Sequence, residues 1–242
     1  MELAVTTLER MLSPRTRVGA TDTAVWILHG MPSEDPINLC GHEQGDAVWY
    51  AEMFDAYLSE SLGREDTPLH EHVRDGVYTM LDLLGEQAAS TDYNGANLPA
   101  AMLVCVRVNE EAEQLEYFTI GDTVLLLDNG ETKHRVCAAD SAMHKPEFDP
   151  EHQRALRFSA DVIEYARYGQ LDASNVERAI AFTTAVDFAL TAQEAAYDTP
   201  AAFLDDGNDV EGLTESAEQY QSDASLPRDA NDIAVFEAML EE

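Results

Sequence analysis

The chain has 242 residues, 45% of them hydrophobic, with 47 Asp plus Glu against 14 Lys plus Arg and a formal net charge of −33. That length suits one large domain. The charge excludes a basic face able to neutralise phosphates of nucleic acid, and no apolar run reaches the roughly 18 residues of a membrane span. The acids are spread along the chain rather than held in a tail, and Lys133 and Lys145 are the only lysines. Such an imbalance costs self-repulsion at low ionic strength and is screened at molar salt, where the Debye length is about 3 Å. The composition therefore reads as that of a cytoplasmic protein of an extreme halophile. The segment Met1–Val5 lacks the basic and apolar regions of a signal peptide. Cys40, Cys105 and Cys137 form no CxxC pair and cannot all pair within one chain, which fits reduced thiols.

In chain order, the first 20 residues lead into a strand over Ala24–Leu28. Asp46–Leu62 reads as a helix, with Trp49, Met53, Ala56 and Tyr57 at helical spacing. Thr67-Pro68 starts a second helix, threonine as N-cap and proline in the first helical position. Leu69, Val73, Val77, Met80, Leu81 and Leu84 form its apolar stripe. Beyond Asn94-Gly95 the period shortens to that of strands: Ala101–Val108, Leu115–Ile120, Thr123–Leu127 and Thr132–Cys137. Asp128-Asn129-Gly130 is the hairpin turn between the last two. Pro150–Tyr168 reads as a helix, Ala179–Thr184 as a strand, Thr191–Tyr197 as a helix and Ile233–Leu240 as the closing strand. The acidic stretch from Asp205 to Asn231 reads as a mobile insertion or short solvated helix in a single domain spanning residues 1–242. Grouped helices and mostly antiparallel strands predict an α+β fold, two sheets packed between helices.

Chemistry in such a fold sits at the polar turns that end apolar runs. Three stand out: Ala24–Gly30 ending in His29-Gly30, Phe118–Thr123 with Gly121-Asp122, and Asn231-Asp232 ahead of the last strand. His70 and His72 lie two apart on one helix and cannot chelate one ion; they read as solvated surface histidines. His29, with His42 and Glu43 in the following loop, reads as a partly buried, hydrogen-bonded residue, with a transition-metal site as the sharper alternative. Neither the G-x-S-x-G of a serine hydrolase nor a G-x-x-x-x-G-K-[ST] phosphate loop is present.

These turns, in this order, resemble the metal-dependent protein phosphatases of the type 2C or PPM family. Arg17-Val18-Gly19-Ala20-Thr21-Asp22 is similar to the family's R-V-x-x-E-D opening. Ala24–Gly30 resembles its strand ending in D-G, Pro99–Val104 its G-T/S-A-T strand, Gly121-Asp122-Thr123 its G-D-S turn, and Asn231-Asp232-Ile233-Ala234 its terminal D-N-x-T. The resemblance runs from about residue 15 to the C-terminus. It implies an αββα sandwich, Mg²⁺ or Mn²⁺ as cofactor, Arg17 as a phosphate-binding residue, and metal ligands among Asp22, His29, Gly30 (through its carbonyl), Asp122, Asp187 and Asp232.

The departures concern the metals. Two hard dications need carboxylate oxygens. The bridging aspartate of D-G aligns with His29, the first-strand glutamate with Thr21 and the terminal aspartate with Asn231. A further aspartate would fall near Thr184-Ala185-Val186, where no acid stands. A neutral imidazole is a softer ligand and carries no charge to hold two ions together. The resemblance thus implies a catalytically weak or inactive regulatory or binding protein with an altered metal site, partnered by a protein or a phosphoprotein. The alternative is an active Mg/Mn-dependent protein serine/threonine phosphatase using shifted ligands Asp22, Asp122, Asp187 and Asp232.

The charge makes its own prediction. Like-charged surface pairs are each unfavourable by only about 1 kcal/mol or less in water, but dozens act together, and the folded state concentrates them. The melting temperature should rise steadily between about 0.1 M and about 2 M KCl as screening and salting-out favour burial. Glu110→Lys, Glu111→Lys and Glu113→Lys together should flatten that dependence in a calorimetric scan. A melting temperature indifferent to KCl would remove the halophilic reading.

Overall fold

The architecture grows from the strand over Ala24–Met31, which is buried on both faces along almost its whole length. Alternation divides its side chains between two apolar clusters. Ala24, Trp26 and Leu28 pack under helices, while Val25 and Ile27 face an opposing sheet. A strand apolar on both sides needs a layer on each, and the chain supplies both.

The computed structural model describes residues 2–10, 13–33, 37–64, 66–87, 97–121, 123–137, 164, 166–183, 209–224 and 233–241. The strands are β1 (Glu2–Arg10), β2 (Thr16–Ala20), β3 (Ala24–Met31), β4 (Ala100–Asn109), β5 (Gln114–Ile120), β6 (Thr123–Asp128), β7 (Lys133–Cys137), β8 (Arg167–Asp172), β9 (Arg178–Thr183) and β10 (Ile233–Glu241). The helices are α1 (Asp46–Ser61), α2 (Leu69–Gln87) and α3 (Val210–Ala224). One sheet runs β2-β3-β4-β5-β8 and the other β1-β10-β9-β6-β7. Every neighbouring pair is antiparallel. The predicted two-sheet α+β sandwich is the observed fold.

Helices α1 and α2 cover the first sheet. The α2 stripe Leu69, Val73, Val77, Met80 and Leu84 packs with Leu103, Cys105, Phe118 and Ile120 of β4 and β5. The second sheet is covered by α3, which packs on β10 and β1. Between the sheets lie Val104, Val106, Leu125, Leu127, Ala181 and Phe236. On the second sheet Asp128 joins three strands, bonded by Arg178 Nη2 at 2.9 Å and by Lys133 Nζ at 3.4 Å. Burial pushes its carboxyl upward, but the Gly130 N–H, Arg178 and Lys133 outweigh that and hold it below the ordinary carboxylate value.

The helix layer is tied to the first sheet by a buried ion pair. Arg107 of β4 is 0% exposed and Glu116 of β5 is 2% exposed. Arg107 Nε donates to Glu116 Oε2 at 2.7 Å, and Nη2 donates to the same oxygen. The remaining guanidinium donors reach into the loop between α1 and α2, to Arg64 O at 3.0 Å and Thr67 O at 2.6 Å. Glu116 Oε1 accepts the Leu69 N–H at the start of α2 (3.3 Å) and Gln170 Nε2 of β8 (3.0 Å).

Several expectations change against this frame. The first 20 residues are more than a lead-in, since they hold β1 and β2; β1 is stabilised by pairing with β10, a contact of high sequence separation that no local pattern announces. The helix expected over Pro150–Tyr168 lies outside the described residues up to 163, but its end is corrected: Arg167–Asp172 is strand β8. Pairing with β5 overrides local periodicity there, placing Tyr168 against Phe118. The helix expected over Thr191–Tyr197 is outside the described residues. Within the acidic stretch read as a mobile insertion or short solvated helix, Val210–Ala224 is helix α3, and one face of it is buried rather than solvated, with Val210, Leu213, Thr214 and Ala217 at helical spacing. His72 is buried rather than solvated; its Nε2–H donates to Arg64 O at 2.9 Å, and burial lowers its pKa. His70 stacks on Tyr168 with ring centroids 4.6 Å apart. Cys40 and Cys105 are free thiols.

Removing one partner of a buried ion pair leaves an uncompensated charge, which costs about 3–5 kcal/mol, whereas replacing both by apolar groups is often nearly neutral. Arg107→Met should therefore lower the unfolding free energy in denaturant titrations by about that amount. Adding Glu116→Leu should recover most of it. Two single variants whose losses simply add would contradict the coupling.

Candidate functional site

The turn at Gly121 joins β5 of one sheet to β6 of the other, so the end of β5 and the start of β6 share one end of the sandwich. Pairing extends that end to the last residues of β3 (His29–Met31), the first of β4 (Ala100–Met102), the start of β2 at Thr16, the end of β9 at Thr183 and the start of β10 at Ile233. Seven chain segments thus meet at one mouth. Gly121 has φ +77°, and a Cβ there would lie 2.4 Å from Met102 Cγ, so this tight turn requires glycine. Gly30 plays a packing role: a Cβ would lie 2.1 Å from Ala47 O, so its absence lets α1 approach β3.

Alternation along β3 turns His29 to the inter-sheet side with Val25 and Ile27. His29 is 8% exposed, and its Nδ1 lies 2.7 Å from Oγ1 of buried Thr16, its registered partner. Met102 is its partner on β4. Nearby, Thr119 Oγ1 and Thr123 Oγ1 are 2.9 Å apart, Thr123 Oγ1 donates to Leu103 O at 3.2 Å, and Thr183 pairs with Thr123. The described inter-sheet lining at this end is hydroxyl, imidazole and thioether. Among the described residues no group of three His, Cys, Asp or Glu side chains is placed to hold a metal. Two hard dications need negative oxygen ligands, which none of the described inter-sheet side chains at this end supplies, while Asp122, Asp187 and Asp232 lie outside the described residues.

The other expected site residues are distributed as follows. Asp22 lies in the exposed turn between β2 and β3. The β2–β3 register runs from Thr16↔His29 to Ala20↔Val25, so Asp22 is at the opposite end of the hairpin from His29, about 16 Å along the strand. The residue that register places beside His29 is Thr16. Arg17, one residue on, faces the helices; its Nη2 is ion-paired with Glu52 of α1 at 2.5 Å. His42 does not join His29: its Nε2 lies 3.3 Å from Oε2 of the same Glu52. Glu43 is exposed. Gly30 N–H donates to Arg15 O at 2.8 Å. Asp122, Asp187, Asn231 and Asp232 lie outside the described residues.

One residue escaped the sequence reading. Asp46, buried at the start of α1, accepts the Leu39 N–H at 2.7 Å and the Cys40 N–H at 2.9 Å, which shapes the loop after β3. Its signal was present in Gly45-Asp46, an acid in the first turn of a helix. Burial first, then the Asp46 charge, pushes the Cys40 thiol well above the ordinary cysteine value, so it stays protonated.

No family model matches this sequence, and no curated protein matches it. Its structure is similar to those of bacterial serine/threonine phosphatases. Stp1 from Staphylococcus aureus is 11% identical, covering 99% of this chain and 96% of that chain, with a TM-score of 0.60. PstP/Ppp of Mycobacterium tuberculosis is 13% identical over 100% of both chains, with a TM-score of 0.60. The catalytic domain of PstP in complex with two manganese ions is 15% identical, over 100% of this chain and 99% of that one, at a TM-score of 0.60. The fold is that of the PPM-type phosphatases.

The Thr16–His29 contact yields a direct prediction. Thr16→Val removes the hydroxyl and leaves a buried ring nitrogen without that partner, a loss of about 1–3 kcal/mol in the unfolding free energy. Thr16→Ser should retain most of the stability. Equal stability of the valine and serine variants would mean that the contact contributes nothing.

Proposed function

We propose that this chain is a PPM-type phosphatase-fold protein with an altered metal site, acting as a catalytically weak or inactive regulatory or binding protein on a protein or phosphoprotein partner. Its setting is the salt-rich cytoplasm of an extreme halophile. The observation that carries the reading is His29. It stands at the end of β3, bonded to a threonine hydroxyl, where the resemblance requires a bridging carboxylate. An imidazole beside a hydroxyl supplies none of the negative charge that keeps two dications together at close range.

The similar PstP catalytic domain is complexed with two manganese ions. In this chain Asp122, Asp187 and Asp232 are the acids left for such a role. Asp22 lies in the turn at the far end of the β2–β3 hairpin from His29, which weighs against it as a ligand beside that residue. The described groups at the mouth, Thr16, His29, Thr119 and Thr123, are buried and hydrogen-bonded within the sandwich, which suits a role in the framework better than one in phosphoester hydrolysis.

The test is hydrolysis of p-nitrophenyl phosphate in molar KCl with Mg²⁺ or Mn²⁺, alongside Mn²⁺ binding followed by electron paramagnetic resonance. Turnover is expected at the level of buffer alone, with no pair of coupled Mn²⁺ ions. Strong metal-dependent turnover, abolished by Asp122→Ala or Asp232→Ala, would overturn the reading and establish a shifted ligand set.

A further inference from the structure

The loop between α1 and α2 is held on the first sheet through one carbonyl. Arg64 O accepts the Nε2–H of His72, in the first turn of α2, at 2.9 Å and Nη1 of Arg107, on β4, at 3.0 Å. Both donors are buried, His72 at 4% exposure and Arg107 at 0%. A carbonyl can only accept, so the proton of the neutral imidazole sits on Nε2 and a further proton must go to Nδ1. That second proton would set an imidazolium and a guanidinium on the same oxygen, in an interior that screens charge far less than water does.

The groups around the ring do little to balance such a cation. Glu116 of β5 is spent on Arg107, the Leu69 N–H and Gln170. Asp75, one turn along α2, is exposed, with its Oδ1 at 3.6 Å from Arg74 Nε. From α1 the ring of Tyr57 packs on Gly76; burial, the leading influence there ahead of Ser61, Asp75 and Arg64, keeps its phenol neutral. From β8 Tyr168 stacks on His70, which lies on another face of α2. Burial is accordingly the main cause that lowers the His72 pKa, and Arg107 adds to it. The bond to the Arg64 carbonyl and the charges of Asp75 and Glu116 oppose that shift without cancelling it.

We infer that His72 is an acid-sensitive latch: the neutral ring clasps the α1–α2 loop over Arg107, and its protonation releases that loop and the first turn of α2 from the sheet. The released segment includes the Thr67 carbonyl and the Leu69 N–H that complete the Arg107–Glu116 pair, so opening loosens the helix layer at its anchor. A group held below its free pKa contributes stability that is present above about pH 6.5 and is lost as pH falls from there through the lowered value. The latch stands at the Arg107 end of the sheet, opposite the mouth, and does not depend on the reading of His29.

The experiment is amide hydrogen exchange of the full chain in molar KCl, read as protection factors so that the intrinsic pH dependence of exchange cancels. Between about pH 7.5 and about pH 5.5, protection of the Arg64, Leu69, Glu71 and His72 amides should fall about threefold or more; one proton with a free value near 6.5 allows at most about tenfold over that window. The Val104–Val106 amides of β4 should stay better protected than the loop at both pH values, because the opening is local. In a parallel NMR titration the His72 ring should take up its proton below the free histidine value. His72→Gln, whose amide keeps a donor for the Arg64 carbonyl, should make loop protection the same at both pH values. Loop protection indifferent to pH, a loop that exchanges only together with β4, a His72 ring that titrates at or above the free value, or a pH dependence that survives His72→Gln would each overturn the proposal. If His72→Gln does not fold, exchange and titration of the unaltered chain decide the matter by themselves.

Discussion

The pairing of Arg107 with Glu116 is the constraint on which the helix layer depends. Neither group can be left alone in the interior, because an unpaired buried charge costs several kcal/mol. Their remaining hydrogen-bonding capacity goes to backbone groups at Arg64, Thr67 and Leu69. A single ion pair therefore sets where the α1–α2 loop touches the sheet and where α2 begins. From that fixed point the Leu69, Val73, Val77 and Leu84 stripe falls on β4 and β5. Gln170 extends the same network to the edge strand β8.

That anchoring lies toward the Arg107 end of the first sheet, and the mouth lies at the other. Ala24 pairs with Arg107, whereas His29 pairs with Met102 and Gly30 with Ala101. The framework is thus secured at one end of the strands while the turns that carry polar groups gather at the opposite end. Rigid strands bring together residues from Thr16 to Ile233 without any direct covalent or helical link. What those residues can do chemically is then set by their types. Among the described residues that lining is made of hydroxyls, a thioether and an imidazole.

The electrostatics follow the same division. In a molecule of formal charge −33, carboxylates are the commonest charged group, yet several are committed to internal work. Asp46 holds two backbone N–H groups, Asp55 accepts Trp26 Nε1 at 2.8 Å, Glu116 is buried against Arg107, and Asp128 bridges strands. Glu52 sits between Arg17 and His42, partly exposed, tying β2 and the loop after β3 to α1.

Much of the fold was legible in the sequence, because it is written in local periodicity. The α2 stripe, the near-continuous apolar run of β4 and the Asn129-Gly130 hairpin each carry their own signal. Strands β1 and β8 did not, since their partners are distant in the chain, and a nine-residue edge strand such as β1 has little local pattern to declare it; β2, though it pairs with the adjacent β3, is only five residues long. The site divided in the same way. His29-Gly30 at the end of an apolar strand was visible, but only the register of β2 against β3 decided that its neighbour is Thr16 and that Asp22 belongs to the far end. Likewise Arg17 was recognisable as a candidate anion ligand, while the carboxylate it meets could not be read from sequence. Glu52 lies 35 positions away on a helix, and its approach is a consequence of packing α1 across Gly30, a contact that exists only once the layers have assembled.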